Sequence, residues 1–153
     1  MGIVATRTIT LPTDYEQLAE LEPVVAEILA GAPMIEDVEI VQYNVVLALH
    51  ELCVNIIKHA FAGQAGQFQV QLALYDAPYR LEIDTYDSGT RPLDLGGVAE
   101  PNLDDPPING LGIFLMRQLM DAVTYETGAK GNHWRLVKQL PIAAENGSQA
   151  QAA

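Results

Sequence analysis

One long helical pattern, from about residue 36 to residue 61, constrains the fold of this chain more than any other feature. Apolar side chains recur there at the i, i+3, i+4, i+7 and i+8 positions of a single stripe. The stripe consists of Leu49, Leu52, Cys53, Ile56, Ile57 and Ala60. This spacing predicts an amphipathic helix that turns the stripe toward the core.

The same helix carries three polar side chains, Glu51, Asn55 and His59, at intervals of four residues. Four residues advance an α-helix by only about 40° beyond a full turn, so all three are expected on one face, opposite the apolar stripe. A carboxylate can act as a general base, and an amide oxygen suits Mg²⁺ that is also held by phosphate oxygens. Taken alone, the pattern also fits the solvated face of any amphipathic helix, which is the simpler interpretation.

Shorter patterns on either side of this helix predict five strands and two further helices. The helix after the first strand begins at a capping box formed by Thr13 and Glu16, and Pro23 should kink or divide it. The prolines, glycines and acidic residues between 88 and 109 predict a loop of a length that is usually functional. The predicted strands are 3–10, 68–75, 79–87, 122–127 and 133–140, and the last helix is 110–121.

Length and charge restrict the class of protein. The chain has 153 residues, 20 acidic and 8 basic, with a formal charge of -12 at pH 7. We expect one domain at 1–141 and a disordered tail at 142–153. The charge argues against nucleic-acid partners, because the phosphate backbone needs Lys and Arg. No apolar run approaches the ~20 residues of a spanning helix, so no membrane is expected, and the single Cys53 fits a reducing cytoplasm.

Two turn motifs follow the long helix. The tripeptide Asp-Ser-Gly at 87–89 ends a strand, where its carboxylate could accept a hydrogen bond from an exocyclic amine while the glycine lets a flat ring approach. An ordinary Asx turn is the alternative. The tetrapeptide Asn-Gly-Leu-Gly at 109–112 opens a helix, where free N–H groups can cradle phosphate. Glycine-rich loop ends are common, and no Gly-Lys-Ser or Gly-Lys-Thr follows, so this is not a P-loop.

The order and spacing of these motifs resemble those of the GHKL ATPases, the superfamily of gyrase-type, chaperone, histidine-kinase and mismatch-repair ATP-binding domains. Within it, the sequence is most similar to the anti-sigma-factor serine/threonine kinases of bacterial partner-switching systems. Residues 47–61 look like the N box of that branch, 87–89 like its G1 box, 110–125 like its G2 box with the following helix and strand, and 131–136 like its last strand pair. The resemblance covers the chain up to about Leu140. It implies an α/β (α+β) two-layer sandwich of the Bergerat type, with a mixed, mostly antiparallel sheet and helices on one face.

The resemblance also implies ATP and Mg²⁺ as cofactors and a role for each matching residue. Glu51 would be the general base, and Asn55 would ligate Mg²⁺. Asp87 would receive the adenine amine, with Gly89 beneath the ring. The two glycines of the G2 box would hinge an ATP lid and present N–H groups to the phosphates. The full set of implied nucleotide contacts is Asn55, His59, Asp87, Gly89, Gly110, Leu111, Gly112 and Asn132.

Three places depart from the pattern of that branch. Thr90, Arg91 and Pro92 follow Gly89 where a second glycine is expected. Asn109 stands where a glycine often precedes Gly110, which would stiffen one lid hinge. Asn132 stands in place of a threonine and is expected to alter a contact on the adenine side of the pocket. Neither the residues after Gly89 nor Asn109 removes a group that the chemistry needs.

The implied function is that of an anti-sigma regulatory factor with serine/threonine kinase activity. Such a protein phosphorylates a small anti-anti-sigma (STAS-type) partner, sequesters a sigma factor in the bacterial cytoplasm and often forms a homodimer. Two alternatives stay open: an interaction module that is switched by ATP but transfers no phosphate, and a histidine kinase, for which the chain shows no phosphoacceptor helix pair. Glu51 favours catalysis, because a pure binder needs no base at that position.

Overall fold

Among the residues that the structure describes, five strands form a sheet and lie side by side in the order β1-β2-β3-β5-β4. The computed structural model describes residues 2–62, 64–89 and 108–143. Every neighbouring pair of strands is antiparallel. The strands are β1 (Ile3–Pro12), β2 (Gln67–Tyr75), β3 (Arg80–Asp87), β4 (Ala122–Gly128) and β5 (Gly131–Gln139).

The described helices form the second layer. They are α1 (Leu21–Leu29), α2 (Val38–Asn55) and α3 (Ile108–Leu119), with a 3-10 helix at Tyr15–Glu20 and a π-helix at Ile56–Ala60. The central helix α2 packs against both α1 and α3. The predicted two-layer α/β sandwich is therefore confirmed, with a sheet that is antiparallel throughout.

Strand β3 shows how the sheet divides the two layers. Leu81, Ile83, Thr85 and Asp87 are buried on the face toward the helices, as the period of two in a strand requires. The opposite face is polar. There Asp84 Oδ1 accepts a hydrogen bond from Arg135 Nε at 2.8 Å and lies 2.6 Å from His133 Nε2. The hydrogen bond to Asp84 raises the pKa of the Arg135 guanidinium.

The start of the first helix differs from the prediction. The capping box of Thr13 and Glu16 is wrong: Asp14 caps the 3-10 helix, and its side chain accepts a hydrogen bond from the Glu16 N–H at 3.0 Å. The Thr13 hydroxyl instead donates to the Gln64 carbonyl at 3.1 Å and accepts from the Gly66 N–H at 3.0 Å. These bonds hold the end of β1 beside the segment that enters β2.

Pro23 divides the first helical segment, as predicted. The 3-10 helix ends at Glu20 and α1 begins at Leu21. Pro23 therefore lies in the first turn of α1, where a backbone N–H would have no helical partner.

By length and composition alone, Val38–Ala60 is long and apolar enough to cross a membrane. The expectation of no spanning helix missed this candidate, because Glu39, His50 and Glu51 interrupt the apolar runs without making the whole stretch polar. In the fold the stretch is the central helix of the core, and half of its most apolar window is buried. Core helices of this kind pass the same test.

Two predictions fall largely outside the described residues. The predicted long loop, the implied ATP lid, lies mostly at 90–107, and the predicted tail lies outside from residue 144 onward. The first residues of that tail contact the domain: Ile142 forms a β-bridge with Ile35, and the Ala143 N–H donates to the Met34 carbonyl at 2.7 Å.

Candidate functional site

A recess lies where the end of α2 and the π-helix meet the ends of β3 and β5. Its wall is formed by Asn55, Ile56, His59, Ala60, Asp87, Tyr125, Asn132 and Trp134. Four residues that the sequence analysis singled out, Asn55, His59, Asp87 and Asn132, thus come together from separate parts of the chain.

Asp87 is the last residue of β3, and its side chain is only 6% exposed. Its Oδ1 atom accepts two hydrogen bonds, from the Gly89 N–H at 2.9 Å and from Asn132 Nδ2 at 2.8 Å. Its Oδ2 atom is buried and has no hydrogen-bond partner among the described residues. Leaving a buried carboxylate oxygen without a donor is costly, so this atom can accept a hydrogen bond from a bound molecule with a gain in free energy.

Asn132 lies directly opposite Asp87 in the β3–β5 ladder and is 4% exposed. Its Oδ1 atom accepts hydrogen bonds from the Tyr125 hydroxyl at 2.9 Å and from the Thr127 hydroxyl at 2.7 Å. The side chain therefore connects β4 to the carboxylate at the end of β3.

The polar face of α2 meets α3 at Gly112. A Cβ atom added to Gly112 would lie 3.0 Å from Glu51 Oε1 and 3.6 Å from Asn55 Nδ2. Asn55 Nδ2 is buried and, within the described part of the chain, has no partner. The predicted general base and the predicted metal ligand therefore both lie against the backbone that opens α3.

The central helix changes its winding at this site. α2 ends at Asn55, and Ile56–Ala60 form a π-helix, in which the Phe61 N–H donates to the Ile56 carbonyl at 3.2 Å. The prediction of one continuous α-helix is wrong over these five residues. Short π segments inside α-helices are often found at functional sites. His59 still lines the recess together with Asn55.

Two glycines allow the strand ends to close around the site. A Cβ atom at Gly89 would lie 2.5 Å from the Ala60 carbonyl oxygen, so the residue must be small to pack against the end of the π-helix. A Cβ atom at Gly131, where φ is +116°, would overlap the Asp87 carbonyl oxygen. Gly89 thus has a packing role in addition to the ring contact that the resemblance implies.

The first turn of α3 contains the Asn-Gly-Leu-Gly motif, because the helix begins at Ile108, two residues before the predicted start. The first four N–H groups of an α-helix have no partner within it. The N–H groups of Gly110 and Leu111 belong to that set and can bind an anion. Gly112 is the fifth residue, whose N–H pairs with the carbonyl of the first in an α-helix. The Leu111 side chain is half exposed.

A metal ion at this site would have few protein ligands. Over residues 2–62, 64–89 and 108–143, no three His, Cys, Asp or Glu side chains come together as a metal-binding group. The Asn55 amide oxygen suits a magnesium ion whose other ligands are phosphate oxygens and water. The donor set therefore fits a metal that arrives with a phosphorylated ligand.

The arrangement of these motifs is typical of one ATPase family. The model of the histidine kinase-like ATPase domain matches residues 11–138. The chain belongs to this family. The matched region of the ATPase domain begins at the end of β1 and continues into β5, so it contains every residue that lines the recess. The predicted membership in the GHKL superfamily is confirmed.

Curated relatives of this ATPase domain are named serine-protein kinase RsbW. The domain is 32% identical over 85 residues to the protein of that name from Bacillus thuringiensis (strain Al Hakam). It is 33% identical over 85 residues to the one from Bacillus cereus (strain B4264). Each match covers 50% of this chain and 51% of the relative, so the chain spans about half the length of the curated relatives it matches. These matches agree with the predicted resemblance to the serine/threonine kinase branch.

The fold of the ATPase domain is similar to a solved structure, that of the RsbU and RsbW domains of a Mycobacterium tuberculosis protein. The TM-score is 0.61 at 17% sequence identity, and the match covers 91% of this chain and 34% of that chain. At this identity the likeness concerns the fold, and it supports the predicted Bergerat-type arrangement.

The sequence analysis did not single out Tyr125 and Thr127. In the β4–β5 ladder they lie opposite Trp134 and Asn132. Alternation along a strand would have placed them on the face of Asn132, but only once the register was known. Trp134 is 3% exposed and packs against the Tyr125 ring at a centroid distance of 4.6 Å.

Proposed function

We propose that this ATPase domain is an ATP- and Mg²⁺-dependent serine/threonine kinase that acts as an anti-sigma regulatory factor. It phosphorylates a small anti-anti-sigma (STAS-type) partner and sequesters a sigma factor in the bacterial cytoplasm. The observation that carries the ATP-binding part of the proposal is the buried Oδ2 atom of Asp87, which has no hydrogen-bond partner in the described part of the chain. The kinase activity and the partners are inferred from the resemblance and from the names of the relatives.

The recess holds only about 10 Å³ of free space, the room of about one water molecule, so its walls would have to move apart to admit a base. The groups that line it favour adenine as that base. Asp87 Oδ2 can accept a hydrogen bond from the exocyclic amine, and Ile56 and Ala60 provide apolar surface against which the ring can pack. His59 and Trp134 line the same recess. A buried acceptor surrounded by apolar surface is typical of sites that bind and orient a flat heterocycle.

The phosphates would lie at the opening of α3. Since the chain carries a formal charge of -12, side-chain cations are scarce and backbone donors have to take their place. The N–H groups of Gly110 and Leu111 supply such donors, and Asn55 supplies an oxygen for Mg²⁺. When bound, the metal ion neutralises charge on the phosphate oxygens.

Glu51 is the residue that would make the domain a kinase. It lies one turn before Asn55 on α2, with Oε1 against Gly112. From this position the carboxylate would accept the proton of a serine hydroxyl as the hydroxyl oxygen attacks the γ-phosphorus of ATP. The bond from that phosphorus to the bridging oxygen would break, and ADP would leave. Transfer of this kind depends mainly on the positions of the groups and on electrostatic stabilisation.

Calorimetric titration with ATP and ADP, with and without Mg²⁺, tests nucleotide binding. We expect micromolar, metal-sensitive binding to the wild type and none to Asp87→Ala or Asn55→Ala. Matched controls are Asp76→Ala, in the turn at the other end of β3, and Asn44→Ala, further up α2; both should bind as the wild type does. A wild type that binds neither nucleotide would contradict the proposal.

Phosphoryl transfer is tested with Glu51→Gln, which keeps the size of the side chain and removes the base. We expect this variant to bind ATP normally and to transfer no phosphate to a STAS-type partner that the wild type phosphorylates. Wild-type protein that binds ATP and the partner but transfers no phosphate would instead indicate the alternative, an interaction module switched by nucleotide.

A further inference from the structure

A relay of hydrogen bonds crosses three strands at the wall of the recess. The hydroxyls of Tyr125 and Thr127 on β4 donate to Asn132 Oδ1 at 2.9 and 2.7 Å. On β5, Asn132 Nδ2 donates in turn to Asp87 Oδ1 at 2.8 Å. Asp87 and Asn132 are both more than nine-tenths buried. Over residues 2–62, 64–89 and 108–143, Asp87 Oδ2 is the one side-chain polar atom of this relay that has no hydrogen-bond partner.

The orientation of the Asn132 amide follows from its partners. A carboxylate only accepts hydrogen bonds, so the amide atom next to Asp87 must be the nitrogen. The amide oxygen then faces Tyr125 and Thr127, whose hydroxyls can both donate. A flipped amide would place an oxygen against the Asp87 carboxylate. The Asp87 carboxylate thus fixes which atom Asn132 presents to it, and the two hydroxyls hold the amide in that orientation by donating to its oxygen.

The Asp87 carboxylate is anchored through one of its oxygens. Oδ1 receives the Gly89 N–H at 2.9 Å and the Asn132 amide at 2.8 Å. Gly89 is only two residues away along the chain, whereas Asn132 belongs to a different strand and sets the position of the carboxylate against the sheet. With Oδ1 held in this way, Oδ2 is the oxygen left for a ligand.

We propose that Asn132 is a positioning residue: held by Tyr125 and Thr127, it fixes Asp87 so that Oδ2 selects nucleotide bases that carry an exocyclic amine. This inference rests on the proposed function, because it requires a nucleotide as the ligand. It assigns to Asn132 an action through Asp87, in place of the direct adenine-side contact that the resemblance implies.

The chemistry predicts selection against a 6-oxo purine. Adenine offers its 6-amino group as a donor to Asp87 Oδ2. In inosine 5′-triphosphate an oxygen replaces that amine, so two acceptors would face each other. Sites that bind one polar group through a fixed partner discriminate strongly against analogues that lack it. A carboxylate that is free to turn would discriminate less.

Thr127→Val tests the relay at a distance from the ligand, because Thr127 is not part of the recess wall. The matched control is Thr124→Val, the same change at an exposed position of β4. The dissociation constants of ATP and inosine 5′-triphosphate are measured by calorimetry for each protein. We expect the preference for ATP to fall about two- to tenfold in Thr127→Val, the effect of one hydrogen bond. The preference should be unchanged in Thr124→Val.

Two further variants separate positioning from general stability. Thr127→Ser keeps the hydroxyl and should restore the wild-type preference. Asn132→Asp places two carboxylates together, so we expect its affinity for ATP to fall more than that of Thr127→Val. Thermal unfolding of each variant is measured as well, to show whether the fold has lost stability.

Three outcomes would overturn the inference. In Thr127→Val, equal weakening of both nucleotides would mean that Thr127 acts only on stability, and an unchanged preference would mean that the relay does not set selectivity. Either result would leave the proposed function standing if the wild type binds ATP. A wild type that binds neither nucleotide would remove the proposed function and this inference together.

Discussion

Gly112 of α3 lies directly against Glu51 of α2, so close that an added Cβ atom would be 3.0 Å from the Oε1 atom of the carboxylate. The added Cβ atom would also lie 3.6 Å from Asn55 Nδ2. Glycine at position 112 therefore sets the space that is available to the proposed base.

Replacing Gly112 with alanine should lower the rate of phosphoryl transfer without lowering the stability of the fold. Alanine favours a helix over glycine by about 1 kcal/mol, so the free energy of unfolding should stay the same or rise. Phosphoryl transfer should fall tenfold or more, because Glu51 must move by a few tenths of an ångström and transfer is sensitive to position. Steady-state kinetics should show the loss mainly in kcat, with little change in the KM for ATP. An unchanged kcat would show that the added methyl group does not displace Glu51 from its working position.

Gly131→Ala should destabilise the fold by about 3 kcal/mol or more. The new Cβ atom would overlap the Asp87 carbonyl oxygen, and the φ of +116° is unfavourable for alanine. Gly128→Ala, in the same hairpin, is the control, because nothing lies within 4 Å of the added atom. Urea denaturation measures both. Similar stabilities for the two variants would mean that the end of β3 can move away from Gly131.

Thr85→Val should leave the stability unchanged or raise it by about 1 kcal/mol. Thr85 is fully buried, and its hydroxyl has no partner among the described residues. Replacing the hydroxyl with a methyl group removes the cost of desolvating it and keeps the shape. Thr124→Val, on the exposed face of β4, should change the stability by less than about 0.5 kcal/mol. A clear loss of stability in Thr85→Val would indicate an ordered water bound to the hydroxyl.

Because Cys53 is buried, we expect the fold to lose stability at alkaline pH. Burial raises the pKa of its thiol above the ordinary value of 9.0. Because the pKa of the thiol is higher in the folded protein than in the unfolded chain, the Cys53 contribution to the free energy of unfolding is fully present below pH 9. Above pH 9 the thiol ionises in the unfolded chain, so this contribution is lost. Between pH 9 and 10 the wild type should lose about 1 kcal/mol more than Cys53→Ala. Urea denaturation at both pH values measures the difference. Parallel curves for the two proteins would contradict the prediction.

Much of the fold was predictable because it depends on local patterns. The apolar stripe of α2, the alternation in the strands and the division at Pro23 each involve residues within a few turns of one another. The π-helix was not predictable, since the apolar stripe continues through Ile56–Ala60 and no local pattern separates these residues from the α-helix before them. Thr13 failed as a cap because its hydroxyl bonds to residues 64 and 66, across more than fifty residues of chain.

The candidate site, too, was predictable only where it depends on local patterns. Glu51, Asn55 and His59 share a helix, so one spacing predicts their common face, and Asp87 ends a recognisable strand. The relay through Asn132 depends on the register of β5 against both β3 and β4, which no local pattern determines. Tyr125 and Thr127 were therefore visible only as alternating residues of an ordinary strand.

The order of the sheet has a consequence for synthesis on the ribosome. β5 is the last of the five strands to be translated, yet it lies between β3 and β4. A nascent chain can pair β1, β2 and β3 once these strands have emerged, but β4 cannot join the sheet until β5 has followed it. ATP, if it binds as proposed, would thus find no complete pocket on the nascent chain and could stabilise only domains whose last strand is in place.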